Sequence, residues 1–123
     1  MARSLTPATF EGHEQETFYL MADETLVACE LVEVERIKMP PPKKWGSAGH
    51  PLREEPFKIV FRGPLEHLLP QRTYPVRHDG LGELGGIFVV PIDKDEKGYY
   101  YEAIFNYSRL HLTSYQNSPQ TRL

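Results

Sequence analysis

Asp93, Asp95 and Gly98 copy positions 1, 3 and 6 of a calcium-binding loop, the first chemistry that side-chain spacing offers in this chain. The copy breaks down at Lys97, which takes position 5, and at Ile104, which stands where the loop needs its bidentate carboxylate. A polar hairpin loop over 93–98 is the expectation. His13-Glu14-Gln15-Glu16 has the opening of a helical zinc-protease motif but no second histidine four residues on, and it sits in a turn. The five histidines, His13, His50, His67, His78 and His111, fall in loops, at strand ends or in the tail, and their spacing does not point to a shared metal.

Nucleophilic chemistry has equally little support. Cys29 is the only cysteine and lies in the apolar run 26–31, where a buried, inert thiol is expected; a disulfide within the chain and a multi-thiolate metal site are excluded. Gly46-Ser47-Ala48-Gly49 has glycines around a serine but no strand leading into it, as a nucleophile elbow requires. Gly80-Leu81-Gly82-Glu83-Leu84-Gly85 is followed by extended residues, so no helix N-terminus is there to hold a phosphate. Glu30, Glu33, Glu35 and Glu102 read as carboxylates on the solvent face of a sheet. No catalytic, cofactor or metal residue is therefore assigned, and no enzyme activity is expected.

The segment with the strongest interaction character is 38–56. There Lys38, Lys43, Lys44 and Arg53 surround Trp45 and a triple proline. Proline lowers the entropy lost on docking and tryptophan supplies interface area. The alternative is that Trp45 folds back onto the sheet. Tyr99-Tyr100-Tyr101 must place at least one ring outward, so Tyr99 and Tyr101 join Lys43, Lys44, Trp45 and Arg53 as contact candidates, with Leu110, Leu112 and Tyr115 of the tail.

Composition bounds the elements that would position these residues. The 123-residue chain is 40% hydrophobic with seven Tyr and six Phe, enough for one core; eleven Pro and nine Gly imply short elements and many turns. A net charge of −3 with interspersed basic residues gives no general attraction to nucleic acid or anionic lipid. The longest apolar runs fall far short of the roughly 20 residues that span a bilayer. The start 1–7 has no apolar signal region, so cytoplasmic synthesis is expected, compatible with later incorporation into an exported or virion-like particle.

Thr6 to Gly12 reads as one capped helical turn that lays Leu5 and Phe10 on the core. Strands are expected over 17–21 and 25–37, joined as a hairpin, with a β-bulge near Leu31 where the apolar phase slips. Further strands follow over 57–62, 73–78, 84–92 and 99–107. Leu65 to Leu69 suggests a second helical turn, Pro75 points to a sheet edge, and Gly85-Gly86 suggests a kink or close backbone approach. The fold class is all-β: a compact antiparallel barrel or sandwich of about six strands over 1–107, carrying the 38–56 loop, with 108–123 as an extension that is mobile or held by a partner.

Four segments, Phe61-Arg62-Gly63-Pro64, Leu69-Pro70-Gln71 with Tyr74, Leu81-Gly82-Glu83-Leu84 with Phe88-Val89-Val90-Pro91, and Tyr101 to Asn106, resemble an uncharacterised bacterial family of short proteins, domain of unknown function 6916. Leu5-Thr6, Phe10-Glu11-Gly12-His13 and Leu31 to Glu35 fit it too, so the resemblance spans about residues 5 to 107. Arg72 stands where glycine is expected, the 38–56 loop is longer than usual, and 108–123 runs past the usual end. The family is associated with phage-tail-collar-like proteins, which implies a structural component of a fibre or tail-like particle that partners itself or a collar-like protein. The competing expectation is a ligand-binding or enzymatic barrel whose pocket is lined by tyrosines and His78 or Glu102.

Overall fold

A computed structural model of the chain describes residues 5–37 and 56–105. One helical turn, α1 (Pro7–Phe10), precedes six strands: β1 (Thr17–Ala22), β2 (Thr25–Arg36), β3 (Phe57–Gly63), β4 (Arg72–His78), β5 (Gly82–Asp95) and β6 (Gly98–Phe105). All pairings are antiparallel and the order β1-β2-β3-β6-β5-β4 closes on itself, so the architecture is a barrel rather than a sandwich. Among the described residues no helix is long and apolar enough to cross a membrane.

Strand alternation decides what lies inside. Phe57, Ile59 and Phe61 of β3 are fully buried, as are Tyr101, Ala103 and Phe105 of β6, because successive side chains point to opposite faces. The phase slip in β2 is a bulge: pairing with β3 shifts between Leu31 and Glu33, which returns Val34 to the inside opposite Ile59. A second bulge shifts β5 against β4 between Val76 and Arg77, where Gly85 has φ of 83°. A third lies at Ile92, between the Pro91 and Asp93 pairings.

The two ends are closed by side chains from outside the sheet. At one end α1 is held by the Thr6 amide donating to Thr9 Oγ1 at 3.1 Å, and it drops Phe10 between Phe18, Phe57 and Phe105 at ring separations of 6.0, 5.9 and 6.0 Å. Phe57 and Phe105 stack at 4.4 Å beneath it. At the other end, Leu69 of the β3–β4 connection is fully buried, and its amide donates to Tyr101 Oη at 2.9 Å.

Three sequence expectations change. Residues 65–69 form a turn and extended chain instead of a helical turn, because the connection must reach across the barrel mouth to insert Leu69. The polar loop 93–98 is mostly strand, reduced to the two-residue turn 96–97. Pro75 lies in a closed wall, not at an edge; the β1–β4 ladder stops at Leu20 and Val76, so its missing N–H falls just past the paired segment. The loop and tail expectations lie outside the described residues apart from Pro56.

Gly98 is fixed by close approach: a Cβ there would stand 2.2 Å from the Gly63 carbonyl oxygen. Gly98→Ala is therefore expected to lower unfolding free energy by about 2–3 kcal/mol through overpacking, read by urea denaturation. Stability equal to the parent would show that β3 and β6 do not approach this closely.

Candidate functional site: a histidine–glutamate–histidine cluster at the plugged end

The chain between α1 and β1 is tied down residue by residue. The His13 amide donates to the Phe10 carbonyl at 3.0 Å, Gln15 N donates to Leu31 O at 2.7 Å, and Leu31 N donates to Glu16 O at 3.0 Å. These bonds place His13 and Glu16 beside the β2 bulge. Facing them is His78, the last residue of β4, in the inward phase set by Tyr74 and Val76. It pairs with Phe18 in register, lies 4.5 Å from that ring, and is only 7% exposed, the sole buried imidazole or charged-type side chain among the described residues.

Glu16 Oε1 accepts from both imidazoles, from His78 Nε2 at 2.7 Å and His13 Nδ1 at 2.8 Å. The other nitrogen of His78 decides the tautomer. Its Nδ1 accepts the Gly80 and Leu81 backbone N–H groups, both at 3.0 Å, so its ring proton must sit on Nε2 and point at Glu16. Bonded to Glu16 through Nδ1, His13 turns Nε2 away from the carboxylate, with no partner among the described residues. The hydrogen bonds from His13, and then from His78, hold the Glu16 carboxyl below its ordinary value of 4.5.

The three potential ligand atoms lie within 4.8 Å of one another, a spacing that invites a metal reading. The donor set does not fit it. A neutral histidine that binds metal through Nε2 carries its proton on Nδ1 and donates it onward, whereas this Nδ1 faces two donors. That leaves Glu16 and His13, fewer than the three protein ligands of even an open zinc site. The arrangement instead clasps the N-terminal plug to the β4–β5 turn and leaves one oriented imidazole nitrogen on His13.

The family model described as "Domain of unknown function (DUF6916)" matches residues 5–105. The chain belongs to the DUF6916 family. The match starts at the Leu5 plug, contains all three residues of the clasp and stops at the last residue of β6. No curated protein matches the chain. No solved structure matches it either.

Within this DUF6916 barrel the sequence-chosen residues are scattered. Tyr101 is completely buried and belongs to the core, not to a contact surface, because the strand phase that carries Ala103 and Phe105 inward carries it too. Tyr99 is half-buried with Lys94 Nζ 5.4 Å over its ring, and Tyr100 donates to Asp95 Oδ2 at 2.8 Å. Asp95 Oδ1 accepts the Lys97 and Gly98 amides at 2.8 and 3.2 Å, so this carboxylate shapes a turn. His78 faces inward, while Glu102 lies outside, 3.4 Å from Lys58 Nζ. Cys29 is buried, and desolvation pushes its thiol up to about 12. Lys43, Lys44, Trp45, Arg53, Leu110, Leu112 and Tyr115 lie outside the described residues, as do His50 and His111.

Sequence reasoning missed the clasp. Two signals were present: the three-residue spacing of His13 and Glu16, and the inward phase of a histidine ending an otherwise apolar strand face.

Because the folded carboxyl of Glu16 is depressed, its stabilising contribution is present above the unfolded value and is lost as pH falls through the folded one. The stability gap between parent and Glu16→Gln is expected to be full at neutral pH and to shrink below about 4.5, measured by urea unfolding at stepped pH. A pH-independent gap would contradict the clasp. A zinc titration followed by calorimetry is expected to show no saturable binding at micromolar metal. Tight one-to-one binding abolished by His78→Gln would show that Nε2 is a ligand after all.

Proposed function

We propose that this DUF6916 protein is a non-enzymatic assembly module: a rigid, plugged barrel that holds two interaction segments at one end. One observation carries the reading. The segment 38–55 leaves from Ile37 and returns at Pro56, and 106–123 follows Phe105; the strand ends that bear them are registered together, Arg36 with Phe57 and Phe57 with Phe105. Both attachment points therefore lie at the α1 end, beside the His13–Glu16–His78 clasp.

The physical logic is that of a mount. Aromatic rings fill the described interior at this end, and the clasp joins the plug to the β4–β5 turn. Binding energy won by Trp45, Lys43, Lys44, Arg53 or the tail residues Leu110, Leu112 and Tyr115 is then not spent on reorganising the support. The assembly belongs to a fibre or tail-like particle, with a collar-like protein or another copy of the chain as partner. Closure of the barrel removes strand edges as the means of attachment, since every strand is paired on both sides for part of its length.

Co-purification with a phage-tail-collar-like protein tests this. Trp45→Ala is expected to weaken capture by about thirtyfold, the level of an interface hot spot of about 2 kcal/mol, with thermal unfolding unchanged. Failure to capture any such partner, or capture untouched by Trp45→Ala and by replacement of residues 108–123 with a Gly/Ser chain, would overturn it.

A further inference from the structure

The outside of the barrel has two unlike walls. On β3, β6 and the second half of β2 the outward side includes paired charges: Glu30 with Arg62, and Lys58 between Glu35 and Glu102 at 3.5 and 3.4 Å. On the opposite wall, centred on β1 and β4, register places Leu26 beside Met21, Ala28 beside Tyr19, and Pro75 beside Gly86. Leu26 is 42% exposed there. The charges around this patch fall in two plus–minus pairs: Arg77 and Glu83, which are register partners across β4 and β5 and both exposed, and Arg72 with Asp23 of the β1–β2 turn at 3.6 Å. Arg77 lies over the Tyr19 ring at 5.9 Å, which lays its stem along the wall.

From this wall we infer that the protein forms a two-fold homodimer through β1 and β4, packed face to face with the same wall of a second copy. The inference deepens the assembly reading and rests on it by naming one partner and the surface that meets it. Three observations select a second copy as the occupant. A partner presenting charges would bury them unpaired against Leu26, Met21 and Pro75, whereas an identical wall presents apolar surface. A plus–minus doublet is self-complementary under two-fold rotation, Arg77 of each copy meeting Glu83 of the other. Closure of the sheet leaves face-to-face packing, at about 10 Å between sheets, as the way two such barrels join through strands.

Sedimentation equilibrium of the full chain tests the dimer. The expected result is a mass twice that of the chain. Leu26→Lys and Ala28→Glu, both at exposed positions, should each weaken association by about tenfold or more by burying an unpaired charge, while Glu33→Lys on the charged wall leaves it intact. Arg77→Glu should weaken the dimer and addition of Glu83→Arg should restore it, a rescue that a merely structural role does not produce. A monomer at every concentration, or a dimer indifferent to Leu26→Lys and Ala28→Glu, overturns the inference. A monomer that still captures its collar-like partner removes the dimer and leaves the assembly reading standing.

Discussion

Closing six antiparallel strands into a barrel leaves two open mouths, and water must be kept from both if the core is to be worth its conformational cost. Phe10 meets that constraint at one mouth. It is fully buried, touches rings from β1, β3 and β6, and arrives on a helical turn of four residues that has no stability of its own. Burial of such a ring contributes about 2–3 kcal/mol, so the turn exists because the mouth needs Phe10. Leu69 does the same at the far mouth, with Tyr101 supplying a hydroxyl to satisfy the amide that insertion would otherwise strand.

The polar cluster follows from that plug. A chain that leaves Phe10 and must start β1 at Thr17 passes over the inward face of His78, and a buried imidazole there needs partners for both nitrogens. The Gly80 and Leu81 amides take one and Glu16 the other. What looks at first like a ligand set is thus a consequence of ending β4 with a histidine under the plug. Its product is a fixed orientation for the end of the barrel from which the two unusual segments leave.

Much of this was legible in the residues. Alternation in β3 and β6, the turn around Thr6 and Phe10, the phase slip at Leu31 and the kink at Gly85 are local signals, set by side-chain period and backbone freedom. Nonlocal demands account for the misreadings. The 65–69 segment has helical composition but is stretched to insert Leu69, and Tyr101 was chosen as a contact residue because a tyrosine triplet does not announce its phase until the strand register is known.

Sequence by itself determined that this is an all-β chain with one core, where its strands turn, and that Cys29 is buried and chemically quiet, because these depend on neighbours within a few positions. Only the tertiary structure decided that the sheet closes, that His13, Glu16 and His78 meet, and that Leu26, Met21, Ala28, Tyr19 and Pro75 share one outer patch. Those outcomes depend on which strands lie side by side, and His78 stands 62 positions from Glu16 in the chain, where no period or spacing rule can reach.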